Sequence, residues 1–156
     1  MVGPAREFLR SWRFGENGLV EHATCEAQKL AEGFAAIAML SPQLSLQVTS
    51  LRKRTKATVP LLAKLPLGRV PTLHFSSNLM TDAVLAQLAP AFSGVRSLSL
   101  EYNELTADGL LKALPHLKSV KELQIDRPLA NDRSVREALL EQLPALELLN
   151  QEKVRG

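Results

Sequence analysis

The residues of this chain that could do chemistry are few and widely spaced. His22 and Cys25 stand in an H-x-x-C spacing, which is half of a soft-ligand set. A structural zinc site needs a second such pair, and the sequence offers none. The bland reading of Cys25 is a buried thiol that packs as a small apolar side chain. His74 and His116 have no carboxylate or thiol at motif spacing. No G-x-S-x-G, P-loop or Rossmann glycine pattern occurs either. The expectation is therefore a non-enzymatic protein with no metal and no cofactor.

Recognition chemistry is better represented. The segment LRKRTK gathers Arg52, Lys53, Arg54 and Lys56 into the one basic cluster. Such a cluster can contact RNA phosphates or act as a targeting signal. Without interleaved aromatics it does not support base stacking, and a solvated loop is the competing reading. Acidic residues gather further on, at Glu101, Glu122 and Asp126. What they can do depends on the elements that carry them.

Those elements repeat. In VRSLSLEYNELTADGLL, apolar residues alternate briefly at Leu98 and Leu100, an Asn follows at 103, and a helical period runs through Leu110, Leu111 and Leu114. Twenty-five residues earlier stand Val70, Leu73, Phe75, Asn78 and Met80; twenty-five later stand Val120, Leu123, Ile125 and Pro128. The helical halves keep the step, with Leu85, Leu110 and Val135 in line. A further step forward reaches Ala145, Leu148 and Asn150, and a step back reaches Ser45, Val48 and Ser50, a faded copy. Each unit predicts a short strand, a turn and a helix, and no unit can bury its leucines without a neighbour. Thr81 with Asp82, and Thr106 with Asp108, suit the helix starts.

The pattern LxxLxLxxNxLT, met in VRSLSLEYNELTADGLLKAL, resembles the leucine-rich repeats, and its N-x-L-T-x-x-G-L form the ribonuclease-inhibitor type. The resemblance is close over 70–128, partial over 129–156 and weak over 44–69. It implies an α/β fold: a right-handed solenoid with short parallel strands on a concave face and helices on the convex one. The final NDRSVREALLEQLPALELLNQEKV is similar to the cap that closes repeat arrays in spliceosomal A-prime proteins, acidic nuclear phosphoproteins, axonemal dynein light chains and tubulin-folding cofactors. Arg136, Leu143, Pro144, Leu146, Leu149 and Asn150 carry that likeness, with Ser134 and Glu137 as a capping box. It implies a eukaryotic, intracellular protein.

The domain reading follows. Residues 1–43 predict an N-terminal helical cap, with one helix over 4–14, a turn at GENG and a second helix over 19–40. Residues 44–156 predict the repeat domain: a degenerate repeat 44–69, repeats 70–94, 95–119 and 120–144, and a C-terminal cap over about 129–156. At 156 residues the chain is one domain's worth, with 46% hydrophobic residues, 4% aromatics and a net charge of +3. A single cysteine points to a reducing compartment, cytoplasmic or nuclear. The longest apolar run, GFAAIAML, is too short to span a bilayer, and no membrane or small-molecule partner is expected.

Strand alternation puts Thr72, His74 and Ser76, then Ser97, Ser99 and Glu101, then Glu122, Gln124 and Asp126 on the open face, with Glu147 beyond. In leucine-rich repeats that face usually holds partners. His74, Ser99, Glu101, Tyr102, Glu122, Gln124 and Asp126 are thus the candidate contacts for a partner protein with a basic segment. An RNA-associated adaptor using Arg52, Lys53, Arg54 and Lys56, or a substrate-recognition subunit of a larger enzyme complex, are the alternatives. Charges that merely keep an exposed sheet soluble are the bland one.

Overall fold

A computed structural model describes residues 2–155 of the chain. The protein is α/β, with one eight-stranded sheet whose strands follow one another in chain order. The first pair is antiparallel, β1 (Ser11–Phe14) with β2 (Val20–Glu26). Then come β3 (Ser45–Thr49), β4 (Thr72–His74), β5 (Ser97–Ser99), β6 (Glu122–Gln124) and β7 (Leu148–Leu149), every one parallel to its predecessor. A two-residue antiparallel strand, β8 (Glu152–Lys153), closes the far edge.

One face of the sheet carries the core. Ala23, Leu46, Leu73, Leu98, Leu123 and Leu149 align in register from β2 to β7, and all are buried. Against this row pack α1 (Ala27–Ala38), α2 (Thr55–Ala63), α3 (Asp82–Leu88), α4 (Ala107–Ala113), the short α5 (Arg127–Ala130) and α6 (Arg133–Gln142). Leu85, Leu110 and Val135 are the fully buried helical residues of successive units. Burying each such side chain contributes about 1.5–3 kcal/mol. Thr81 and Thr106 cap α3 and α4 as expected, accepting from Val84 and Gly109 amides at 3.3 Å each.

Neighbouring units approach closely. A Cβ on Gly68 would run into the Ser93 carbonyl, so the backbone there must be glycine. Gly109 leaves room for the Asp82 carboxylate, which accepts from the Thr106 amide (2.9 Å) and hydroxyl (2.5 Å) one unit on. Asp82 thus joins two helix starts rather than capping its own.

Four expectations are corrected. Residues 1–43 are not two helices: a 3-10 helix, Gly3–Phe8, leads into the β1–β2 hairpin, and only α1 is an α-helix. The GENG turn is present, with Asn17 Oδ1 accepting from the Leu19 amide and Gly18 at φ +79°. That turn reverses the chain tightly enough for Trp12 to face Ala23, and β2 then finds β3 as a ladder partner. The four-residue spacing of Leu19 and Ala23 fits a helix, but hydrogen bonding to β3 decides for strand. Second, the faded unit is offset by 27 residues, pairing Leu46 with Leu73, so a step of 25 set Val48 in the wrong row. Third, Leu149 takes the core row at β7, and Leu148, not Glu147, stands beside Glu122. Fourth, Asp132 rather than Ser134 caps α6, accepting from the Val135 amide (3.2 Å) and the Ser134 hydroxyl (2.6 Å). Glu137 instead pairs with Arg133 at 3.0 Å.

The loops after the strands are tied by asparagine amides. Buried Asn78 donates to the Val48 and Phe75 carbonyls (2.8 and 2.9 Å) and accepts from the Leu51 amide (2.8 Å). Asn103 accepts from the Asn78 and Met80 amides (3.0 and 2.9 Å) and donates to the Phe75 and Leu100 carbonyls (both 3.0 Å). The next such position is Pro128, which opens α5 and ends the series. Asn78→Ala removes the side-chain partner of the Leu51 amide and the Val48 carbonyl inside the protein, while the Phe75 carbonyl keeps Asn103. Chemical denaturation should show a loss of about 2–4 kcal/mol, against less than about 1 kcal/mol for exposed Asn131→Ala.

Candidate functional site

The uncovered face of the sheet is polar. One row runs Arg13, His22, Ser45, Thr72, Ser97, Glu122; the next runs Thr24, Gln47, His74, Ser99, Gln124. Alternation along each strand puts these on the side opposite the leucines. The rows grade from cation and imidazole at the β1–β2 end to carboxylate at β6. A shallow depression of about 260 Å³ lies over the middle, lined by His22, Gln47, His74, Ser76, Ser99 and Gln124. It is built for hydrogen bonding and has no deep wall.

His22 and Cys25 belong to opposite faces of β2: His22 is exposed and Cys25 fully buried. They cannot share a ligand, and no helix carries them. Burial, with the Glu26 charge beside it, pushes the Cys25 thiol up to about 12, so it is no nucleophile. Among the described residues no three metal-ligating side chains gather, and no helix is long and apolar enough to cross a membrane.

Ser99 does not stand where a partner can reach it. It is 2% exposed, and its hydroxyl meets that of Ser76 at 2.7 Å. His74 and Gln124 are half-buried, and Glu122 is exposed with a long 3.4 Å contact from the Ser97 hydroxyl. Asp126 is already engaged: its carboxylate accepts from the Tyr102 amide at 2.6 Å. It holds Tyr102 rather than waiting for a cation.

Tyr102 is the most distinctive residue of the site. It is 69% exposed, yet its backbone sits at φ +60°, a region that costs a bulky residue about 1–3 kcal/mol. Among the described residues the non-glycine positions with positive φ are Ser50, Arg54, Ser77, Leu79, Tyr102, Asn150 and Gln151. All of them lie where the chain leaves β3, β4, β5 or β7. Strain is therefore concentrated on one rim of the sheet, and the side chains presented there are set by it. Repeat spacing located Tyr102, but φ > 0 at Leu79 and Tyr102 had no sequence signal, since neither is Gly or Asn.

Beside Tyr102 opens a cavity of about 920 Å³ whose walls include Glu101, Gln124, Asp126, Arg127, Arg136 and Glu152. The structure thus brings Glu101, Tyr102, Gln124 and Asp126 together, with Glu122 on the adjoining face and His74 two strands away. Among the described residues none of Glu101, Glu122 and Asp126 forms an ion pair. Arg52, Lys53, Arg54 and Lys56 are exposed and equally unpaired, on the rim after β3. Neither a protein-family model nor a curated protein matches this chain.

His74 supplies a test of the face. Burial, with the nearby His22 adding to it, lowers its pKa below the usual 6.5. The folded chain therefore binds fewer protons than the unfolded one just under that value, and this contribution to stability is full above it and declines as pH falls through it. Wild type should melt lower at about pH 5.5 than at about pH 7.5, and His74→Gln should shrink that difference. Equal pH dependence in both proteins would show that His74 is solvated as in a free peptide.

Proposed function

We propose that this chain is a leucine-rich-repeat solenoid that serves as a non-enzymatic scaffold for protein recognition, inside the cell, in cytoplasm or nucleus. The sheet order, the 25-residue step between β4, β5 and β6, and the asparagine amides linking successive loops support the repeat reading. A buried free thiol with no second cysteine supports the reducing compartment. The occupant is a partner protein whose basic segment lies across the β5–β6 end of the open face and rim. There Glu101 and Glu122 offer unpaired carboxylates beside the exposed ring of Tyr102.

Tyr102 is the observation that carries this reading. A solubility-only surface has no use for an exposed aromatic side chain held at φ +60° by a neighbouring carboxylate. An aromatic with few rotatable bonds, already fixed, is an economical anchor. Glu122 is exposed and Glu101 partly so, so each carboxylate adds little affinity alone, and they act mainly on encounter rate.

The test uses a Lys/Arg-rich extended peptide as probe, with binding read by fluorescence anisotropy. Tyr102→Ala and the double reversal E101K/E122K should each weaken binding roughly tenfold or more, with nearly unchanged melting temperature. Rising salt should weaken the wild type likewise. Asp126 is left intact because its loss would release the Tyr102 loop. Binding indifferent to E101K/E122K refutes the reading. Should the chain instead bind single-stranded RNA, with R52E/K53E/K56E abolishing it, the RNA-adaptor alternative takes its place.

A further inference from the structure

The loops that leave β3, β4 and β5 are neighbours on the rim, and their charges are segregated. The β3 loop and the start of α2 present Arg52, Lys53, Arg54 and Lys56, all exposed. The β5 loop presents Glu101 and Glu104 on either side of Tyr102. The β4 loop between them, Ser76–Leu79, is uncharged and offers Leu79, 48% exposed at φ +53°. Among the described residues, none of these cations and carboxylates is in an ion pair. The strip therefore runs from positive through apolar to negative, in equal steps of one strand, about 5 Å each.

Such a strip is complementary to itself. A two-fold axis through its centre carries the β3 loop of one copy onto the β5 loop of the other, and the reverse, in one operation. Stacking without that rotation would set like charges together. We propose that the rim is a homodimer interface, with a second copy docked about a two-fold axis at Leu79. The Arg52–Lys56 cations of each chain then meet Glu101 and Glu104 of the other. A guanidinium reaching Tyr102 gains from the ring face as well.

The loops are already ordered for this. Asn78 Oδ1 holds the Leu51 amide, and Asn103 Oδ1 holds the Asn78 and Met80 amides, so all three loops belong to one hydrogen-bonded series. Little chain entropy is left to lose on docking. Three loops make a small patch, so the dimer is weak, and its exposed charges make it salt-sensitive. The inference goes beyond the partner reading and needs no partner, although both use the β5 loop.

Sedimentation of the purified full-length chain provides the first test. In low salt and at rising concentration, wild type should approach twice its 17.1 kDa mass. It should return to the monomer near ~0.5 M salt. R52E/K53E/K56E and E101K/E104K should each stay monomeric, and an equimolar mixture of the two should dimerise, because each supplies the charges the other lacks. Position is tested by cross-linking with oxidised glutathione. Cys25 is buried, so Leu79→Cys should give a covalent dimer well ahead of Met39→Cys, although Met39 is 86% exposed. Wild type at monomer mass under every condition, no association in the mixture, or Leu79→Cys linking no faster than Met39→Cys would each overturn the proposal. Peptide binding by monomeric R52E/K53E/K56E tests the partner reading separately, so either can fail alone.

Discussion

The structure depends on backbone groups that no single strand–loop–helix unit can satisfy. Where the chain leaves a short strand it exposes amides and carbonyls next to the core. Burying those unpaired costs about 1–3 kcal/mol apiece. Asn78 resolves this for two units at once, taking the Leu51 amide and Val48 carbonyl of the preceding unit together with the Phe75 carbonyl of its own. Asn103 repeats the arrangement one unit on. With every unit completing its neighbour, the leucine row from Leu46 to Leu149 closes as one core.

That dependence has to end somewhere, and the two ends differ. At the far edge the series stops at Pro128, which has no amide to give. Beyond it Asn150 exchanges hydrogen bonds with both backbone groups of Ile125 (2.8 and 2.9 Å). Arg155 then clamps the Leu140, Leu143 and Leu146 carbonyls, while β8 pairs the last edge. At the near end the chain adds two strands rather than a purely helical cover. Phe8 lies over Gly33, where a Cβ would meet its ring, and α1 is locally non-helical at that glycine.

The same loop geometry shapes the surface of the rim. Asparagines holding the loops from inside leave the intervening residues pointing outward with positive φ. Side chains such as Leu79 and Tyr102 are therefore displayed on a rigid frame, not on mobile turns. The open face is quieter: it is lined by Ser, Thr and Gln side chains, of which Ser76 and Ser99 bond each other. Among the described residues, charge without an ion-pair partner is found instead on the rim, at Arg52, Lys53, Arg54 and Lys56, and at Glu101 and Glu122.

Sequence periodicity alone determined the units from Val70 to Val135. The 25-residue repeat of apolar, Asn and Thr positions is met by strand–turn–helix units whose strands pair in register, with the leucines buried and the threonines at helix starts. It also located the strands at Leu73, Leu98 and Leu123, the threonine caps, and the outward carboxylates. Tertiary structure decided the rest. Whether Leu19–Glu26 is helix or strand turned on a ladder with β3, a partner more than twenty residues away. The true offsets of β3 and β7 followed from hydrogen-bond register, which insertions hide from a fixed step. Asp126 reads as a free charge in sequence, and only the fold brings the Tyr102 amide to it. Ser99 alternates outward as a strand residue should, but this short side chain lies between the larger His74 and Gln124 and bonds Ser76, which leaves it buried. Local pattern governs which face a residue takes; contact between units governs what remains available on that face.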